Sequence, residues 1–339
     1  MQTLRNDPKD FFLVTGACGF VGSHLVDTLV SKGYSVRATD LKNVSQKNIT
    51  PLEAVEFIPA DLTKPKEVPQ LLDGITKIFH PAGIFNFSAP KKLLFKVNIE
   101  GTTNLLSAAL SEDISHFVNW STAMVYGTLK YSPANEAHPI QPEDPYSESK
   151  WIQEQIALSY FEENGLPVSI IRPTAIYGPR SLYGTSKAIL ALVNGKIWGI
   201  PGNGKTIQHH VNVEDVVKAA LFVSNKKNTV GEVFNIADNV PISIEESFKV
   251  VAELINKKIP RFHIPKWLVY LYGYIDRFWN RLLRKTSLFE KTSLKLLFSD
   301  HVFDNNKLKN LGFEYSVPSF QMGIETTLQW YKQQGYIDF

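Results

Sequence analysis

FFLVTGACGFVGSHL, residues 11–25, passes from a short apolar run through three glycines into helical spacing. Phe11–Val14 has the length and composition of a buried strand, and Val21, Leu25 and Leu29 recur at helical intervals. Gly16, Gly19 and Gly22 stand at the junction, spaced G-x-x-G-x-x-G. In such a strand–turn–helix the first glycine makes the tight turn and the second lets backbone approach a pyrophosphate. The third lets the helix pack closely on the sheet. Phosphates then meet the unpaired N–H groups and the positive dipole end of the helix. A second strand, Ser35–Thr39, runs into Asp40. That is about 20 residues on, where a carboxylate can hydrogen-bond a ribose 2′-hydroxyl.

Outward from this stretch, strand and helix patterns alternate. Apolar runs at Val55–Ile58, Lys77–His80, Phe117–Trp120 and Val168–Ile171 read as strands, with helical patterns around Leu93–Leu110 and Tyr146–Phe161. Alternation of this kind predicts right-handed βαβ units, hence a doubly wound parallel α/β sheet of the Rossmann type. Ligands of such sheets bind outside the carboxyl ends of the strands. Asp61, His80–Gly83, Ser121–Thr122 and Arg172–Pro173 therefore converge on one crevice. After Pro173 turn punctuation becomes dense (Gly178–Pro179, Gly199, Pro201–Gly202, Gly204). The expected division is a dinucleotide-binding domain over 1–177 and a smaller α/β substrate domain over 178–339. A segment near 207–223, strand Ile207–Val213 and helix Glu214–Val223, is expected to return to the sheet.

The 339 residues exceed what one hydrophobic core organises, which agrees with two units. With 44% apolar and 20% charged residues the composition is that of an ordinary globular protein, and a net charge of +3 is too small to mark a nucleic-acid partner. Cys18 is the one cysteine, so no intrachain disulfide forms and a reducing compartment is implied. Cys18 reads as a small buried filler, not a redox centre. MQTLRNDPKD lacks the apolar core of a signal peptide, and no run of apolar residues is long enough to span a membrane. A cytoplasmic protein is expected, and the histidines show no metal-ligand spacing, so no metal is assigned.

Tyr146 and Lys150, in YSESK, lie four apart at the start of a predicted helix and share one face. Free tyrosine is a poor base near neutrality, but a cation beside it favours the phenolate. The pair can then serve as general acid and base on a hydroxyl or carbonyl. Ser121 and Thr122, at the end of the fifth strand, offer hydroxyls for the same substrate oxygen.

With these residues the chain resembles the extended short-chain dehydrogenase/reductases, the NAD-dependent epimerase/dehydratase family. The likeness is carried by TGACGFVG (15–22), Asp40, Asp61–Leu62, HPAG (80–83), VNIEGT (97–102), STAMVYG (121–127), YSESK (146–150), RPTAIYGP (172–179) and VNVEDV (211–216). The resemblance implies that Gly16, Gly19, Phe20, Val21 and Gly22 cradle the pyrophosphate and that Asp40 holds the adenine ribose. Asp61 and Leu62 would flank the adenine, with Ala82, Gly83, Asn98 and Pro173 along the cofactor path. Thr122 takes the place of the catalytic hydroxyl, Tyr146 that of the acid/base, and Lys150 that of its activator and ribose ligand. Ser121 is held in reserve, and Phe85, Phe87 and Tyr177 are expected in the substrate wall. Asp40 favours NAD over NADP, since a 2′-phosphate would face its carboxylate and Leu41 supplies no arginine. Lys42 keeps NADP open. In this family the two helices around 98–110 and 146–161 form a dimer interface, which implies a homodimer.

Two regions bear on the substrate. Sugar-nucleotide members carry an Arg-Asp pair where this chain has Gln208 and His209, and losing a bidentate clamp counts against a nucleotide sugar. Ala123 and Met124 follow Thr122 where dehydratases carry acids, which argues against dehydration. Over 257–285 eight basic residues stand against the single acid Asp276. A helix from Lys266 would put Trp267, Leu271, Tyr274, Phe278 and Leu282 on one face and Arg277, Arg281 and Arg284 on another. Such a helix is either a lid, with its apolar face in the core, or a peripheral membrane contact through 266–285. SDHVFDNNKLKNLGF and the closing LQWY resemble the 3β-hydroxysteroid dehydrogenase branch. The expectation is an NAD(P)-dependent oxidoreductase acting on a secondary alcohol or ketone of a hydrophobic, sterol-like or lipid-like molecule. The alternatives are an NDP-sugar 4-epimerase and a non-catalytic NAD(P)-binding sensor.

Overall fold

A computed structural model of the chain describes residues 10–50, 52–260, 262–283 and 291–338. Residues 1–9, on which the reading of the N-terminus rests, lie outside the described residues, as do Arg261, Arg284 and Lys285.

The strands of the central sheet are β1 (Phe11–Thr15), β2 (Ser35–Thr39), β3 (Glu56–Phe57), β4 (Lys77–His80), β5 (His116–Trp120), β6 (Val168–Pro173) and β7 (Val233–Ile236). They lie in the order β7-β6-β5-β4-β1-β2-β3. The pairings of β1 with β2 and β4, β2 with β3, β4 with β5 and β5 with β6 are all parallel. Strands β4, β5 and β6 are buried at every position, as expected where helices cover both faces of a parallel sheet. On one face Leu13, Ile78, Phe117 and Ile170 pack with Leu105 and Ala157.

Helix α1 (Phe20–Ser31) leaves the glycine turn, and α2 (Pro145–Asn164) carries YSESK at its start. Between β4 and β5 the chain makes three consecutive helical pieces: Lys91–Phe95, the wide-turned Lys96–Glu100, and Gly101–Ala109.

The chain divides into two compact units. One comprises residues 1–125, 145–172 and 217–234, and the other 126–144, 173–216 and 235–339. The core of the second unit gathers Tyr177, Ile189, Val251, Phe320, Ile324 and Leu328.

Ile207–Val213 does not enter the central sheet. Ile207–Gln208 pairs antiparallel with Ile242–Ser243, and His210–Asn212 pairs parallel with Ala175–Tyr177. His209, between them, fixes this arrangement: its Nδ1 accepts the Phe303 N–H at 3.1 Å and its Nε2 faces the Asp238 carbonyl at 2.9 Å. Helix α3 (Val213–Ser224) follows, and the strand that reaches the sheet is β7, beyond it.

Candidate active site

The glycine turn is as tight as its sequence suggests. Gly16 has φ +59°, and a Cβ there would stand 2.9 Å from the Ala82 Cα. A Cβ on Gly22 would fall 2.1 Å from the Gly16 carbonyl oxygen, so only hydrogen fits between helix and turn. Gly19 caps α1 without a side-chain bond, and no acid lies in the first turn. The helix start therefore keeps its N–H donors and positive end for an anion. Phe20 is buried with its ring 5.8 Å from His24, and Val21 is half-buried.

Asp40 lies directly after β2. One carboxylate oxygen accepts the Cys18 N–H at 3.0 Å and the other accepts Leu41 N–H at 2.8 Å. Burial raises its pKa, and these two N–H bonds oppose the rise. Cys18 itself is buried, and burial pushes its thiol up to about 12, as an inert filler requires. Asp61 accepts both the N–H and the hydroxyl of Thr63, and the Leu62 carbonyl accepts from Asn104.

A buried polar web braces the strand ends. Thr102 Oγ1 donates to the Asn98 carbonyl at 2.7 Å, so it accepts from His80 Nε2 at 2.8 Å. His80 Nδ1 must then accept from Thr15 Oγ1, also at 2.8 Å. The Thr15 oxygen in turn faces the Ala82 N–H at 3.3 Å. Burial first, and Lys150 second, push the His80 pKa down to about 3, which fits one neutral tautomer. Asn98 sits in the wide-turned segment. Its Oδ1 accepts the Ile84 N–H at 2.8 Å and its Nδ2 donates to Ser149 at 2.9 Å. Both side-chain ends thus tie the loop after β4 to α2.

The buried stripe of α2 is polar: Tyr146, Ser149, Lys150, Gln153 and Glu154 all point inward. A polar stripe in a core is costly unless each group is satisfied. Gln153 Nε2 donates to Thr102 and Asn119, and Glu154 receives Arg172 through two guanidinium nitrogens, the closest contact being 2.6 Å. Ser121 Oγ also donates to Glu154. The Lys150 ammonium makes no hydrogen bond among the described residues. It lies 3.8 Å from where a Cβ on Gly83 would stand, and that Cβ would also press on Asn98 Oδ1 at 3.0 Å. A bare glycine edge beside a buried, unbonded cation leaves room for a ribose hydroxyl at the end of the sheet. Together with the glycine cradle and Asp40, these residues fit a dinucleotide.

The two candidate hydroxyls differ. Ser121 is committed to the Glu154–Arg172 pair, whereas Thr122 Oγ1 accepts the Met124 N–H at 3.2 Å and keeps its own O–H to donate. Tyr146 is nearly buried, and two aromatic rings stand edge-on to it: Phe85 at 5.1 Å and Phe87 at 5.8 Å. Pro173 closes β6 and is buried. Tyr177 is no part of a loop wall. It ends a short strand and is fully buried, packed on Phe320 at 5.0 Å with its hydroxyl donating to the Ser319 carbonyl. Burial raises its pKa further.

The sequence placed His80 at the crevice without a role and Thr102 only within the VNIEGT motif, and it passed over Gln153 and Glu154 as site-building groups. The signal was present for Gln153 and Glu154, which fall three and four residues after Lys150 on its own helical face.

Burial lowers the Lys150 pKa to about 7 while Glu154 opposes the shift. Between about pH 7 and the free-lysine value the unfolded chain holds more protons than the folded one, so stability of the ligand-free protein rises with pH there. Below pH 7 the buried ammonium imposes its full cost. Lys150→Met should therefore raise the ligand-free melting temperature at pH 6, with the gap to the parent chain narrowing toward pH 9.5. Thermal denaturation across that range checks it, and an unchanged midpoint at pH 6 would refute the assignment.

A parallel sheet with a glycine cradle at one strand end and a buried Tyr–Lys helix beside it defines a dinucleotide-dependent enzyme. Residues 12–237 match the NAD dependent epimerase/dehydratase family, and the chain belongs to that family; its cofactor is NAD. The chain is 29% identical over 263 residues to the decarboxylating sterol-4-alpha-carboxylate 3-dehydrogenase of Bos taurus, covering 75% of this chain and 72% of that one. It is 27% identical over 329 residues, 95% of each chain, to N-acetyl-alpha-D-glucosaminyl-diphospho-ditrans,octacis-undecaprenol 4-epimerase of Escherichia coli O157:H7. Among solved structures, UDP-glucose 4-epimerase of Thermotoga maritima superposes with a TM-score of 0.80 at 24% identity, covering 96% of this chain and 99% of that one. At that identity the likeness concerns the fold.

Proposed function

We propose that this enzyme passes hydride to or from a secondary alcohol or ketone of a hydrophobic, sterol-like or lipid-like substrate. When bound, NAD supplies the hydride acceptor and, reduced, the donor. In the oxidising direction Thr122 donates a hydrogen bond to the substrate oxygen and Tyr146, as phenolate, takes the hydroxyl proton as the C–H hydride departs. Lys150 favours the phenolate and holds the ribose. Gly16, Gly19 and Gly22 receive the pyrophosphate, Asp40 the adenine ribose, and Asn98 positions the loop after β4.

The observation that carries the substrate class is the aromatic collar. Phe85 and Phe87 stand 5.3 Å apart and both pack roughly perpendicular to the Tyr146 ring, which puts two apolar rings beside it. Gln208 adds weight, since its amide is engaged by the Leu296 carbonyl at 2.9 Å and no arginine stands there to clamp a nucleotide. Sterol and undecaprenol, in the names of the two relatives, are both largely apolar.

The 4-epimerase reading is favoured by the near full-length match to the Escherichia coli enzyme. It uses the same Thr–Tyr–Lys set, with hydride returned to the opposite face of the ketone. Thermal shift with NAD present discriminates. Sterols or long-chain β-keto acids should raise the midpoint above that with NAD alone. A shift given only by UDP-sugars would overturn the hydrophobic reading.

A further inference from the structure

Helix α4 (Lys266–Leu282) turns a broad apolar face to solvent. Trp267, Tyr274, Phe278 and Leu282 are each 60–67% exposed, and Leu271 and Trp279 about half. At 100° per residue these six fall within one contiguous arc of the helix. Among the described side chains of this helix the buried one is Val269, with Gly273 alongside, on the opposite flank. The apolar face is therefore not core, contrary to the lid expectation. The approach to the helix continues the character: Phe262 and Trp198 are both 52% exposed, with their rings 5.7 Å apart.

Charge frames this surface on one side only. Lys266 is exposed and Arg277 half-exposed at the edge of the arc, Lys257 and Lys258 are exposed upstream, and Asp276 is the single acid over 257–285. The helix is 17 residues long, and among the described residues no helix is long and apolar enough to cross a membrane.

We propose that α4 lies flat in the surface of an anionic lipid bilayer, burying its aromatic and leucine face while the flanking cations meet lipid headgroups. A contiguous apolar arc bordered by cations suits an anionic lipid surface, and interfacial tryptophan and tyrosine favour the headgroup boundary. A second copy is the poorer occupant: two such helices brought together would oppose like charges, and the chain itself is net positive. The proposal is independent of the substrate reading, since a docked enzyme could act on sugar or sterol alike.

Flotation of the full chain with vesicles tests it, using phosphatidylcholine alone and phosphatidylcholine with phosphatidylserine. The parent chain should float with the mixed vesicles. Lys266→Glu with Arg277→Glu should weaken partitioning by about 25-fold or more, at roughly fivefold for each positive charge lost. Trp267→Ser with Phe278→Ser should abolish it. Equal melting temperatures and NAD affinities would show that both variants are folded. The proposal fails if the parent chain stays in the dense fraction, if neutral vesicles serve as well as anionic ones, or if the variants float unchanged. It also fails if α4 is instead buried in a dimer that those apolar substitutions dissociate.

Discussion

Tyr146→Phe should turn over substrate more slowly by a factor on the order of 10^2 to 10^4 while binding NAD with nearly unchanged affinity. The substitution removes one oxygen and leaves the ring, so the edge-on contacts with Phe85 and Phe87 persist. What disappears is the group proposed to take the substrate's hydroxyl proton. Thr122 can still hold the oxygen, but with its O–H it donates and does not act as the base. Steady-state turnover beside calorimetric NAD titration reads the two effects separately. Parent-like turnover would remove Tyr146 from the chemistry. A matched loss of NAD affinity would instead make it part of the cofactor site.

The second large effect belongs to the turn. Gly22→Ala places a methyl 2.1 Å from the Gly16 carbonyl oxygen and 2.8 Å from the Ala17 Cα, both backbone atoms that cannot rotate aside. Helix α1 must then move off β1, which should cost roughly 1–3 kcal/mol of stability as overpacking does, together with most of the NAD affinity. Gly33→Ala is the control. It has φ +80° and no atom within 4 Å of the added carbon, so it bears only backbone strain, and its NAD affinity should be unchanged. Chemical denaturation and NAD titration of the pair would separate crowding at the turn from a general intolerance of alanine for glycine.

The middle of the central sheet was legible because β4, β5 and β6 are buried at every position and so appear as short, largely apolar runs: KIFH and VSII announce β4 and β6 directly. Strand β7 was not. VFNI is short, and its Asn235 looks like a turn residue until its side chain is seen accepting from Tyr126 at 2.7 Å and donating to two carbonyls. Ile207–Val213 misled in the opposite sense, since a run of the right composition is divided by the tethered His209 between two small sheets. Tyr146 and Lys150 could be paired from a four-residue spacing alone. The partners of Glu154 could not, because Ser121 and Arg172 lie 33 and 18 residues away on neighbouring strands. Tyr177 shows the limit of assigning a side chain from a loop-like sequence: the GP that follows it suggests exposure, yet Phe320, far along the chain, covers its ring.

The threonine-locked ring of His80 sets how the cofactor cradle answers acidity. With its pKa pushed down to about 3 by burial, that imidazole favours its neutral form near neutrality, held between Thr15 at the end of the first strand and Thr102. Lys150, which burial brings down to about 7, is by contrast a group of this site whose charge changes near neutrality in the ligand-free protein.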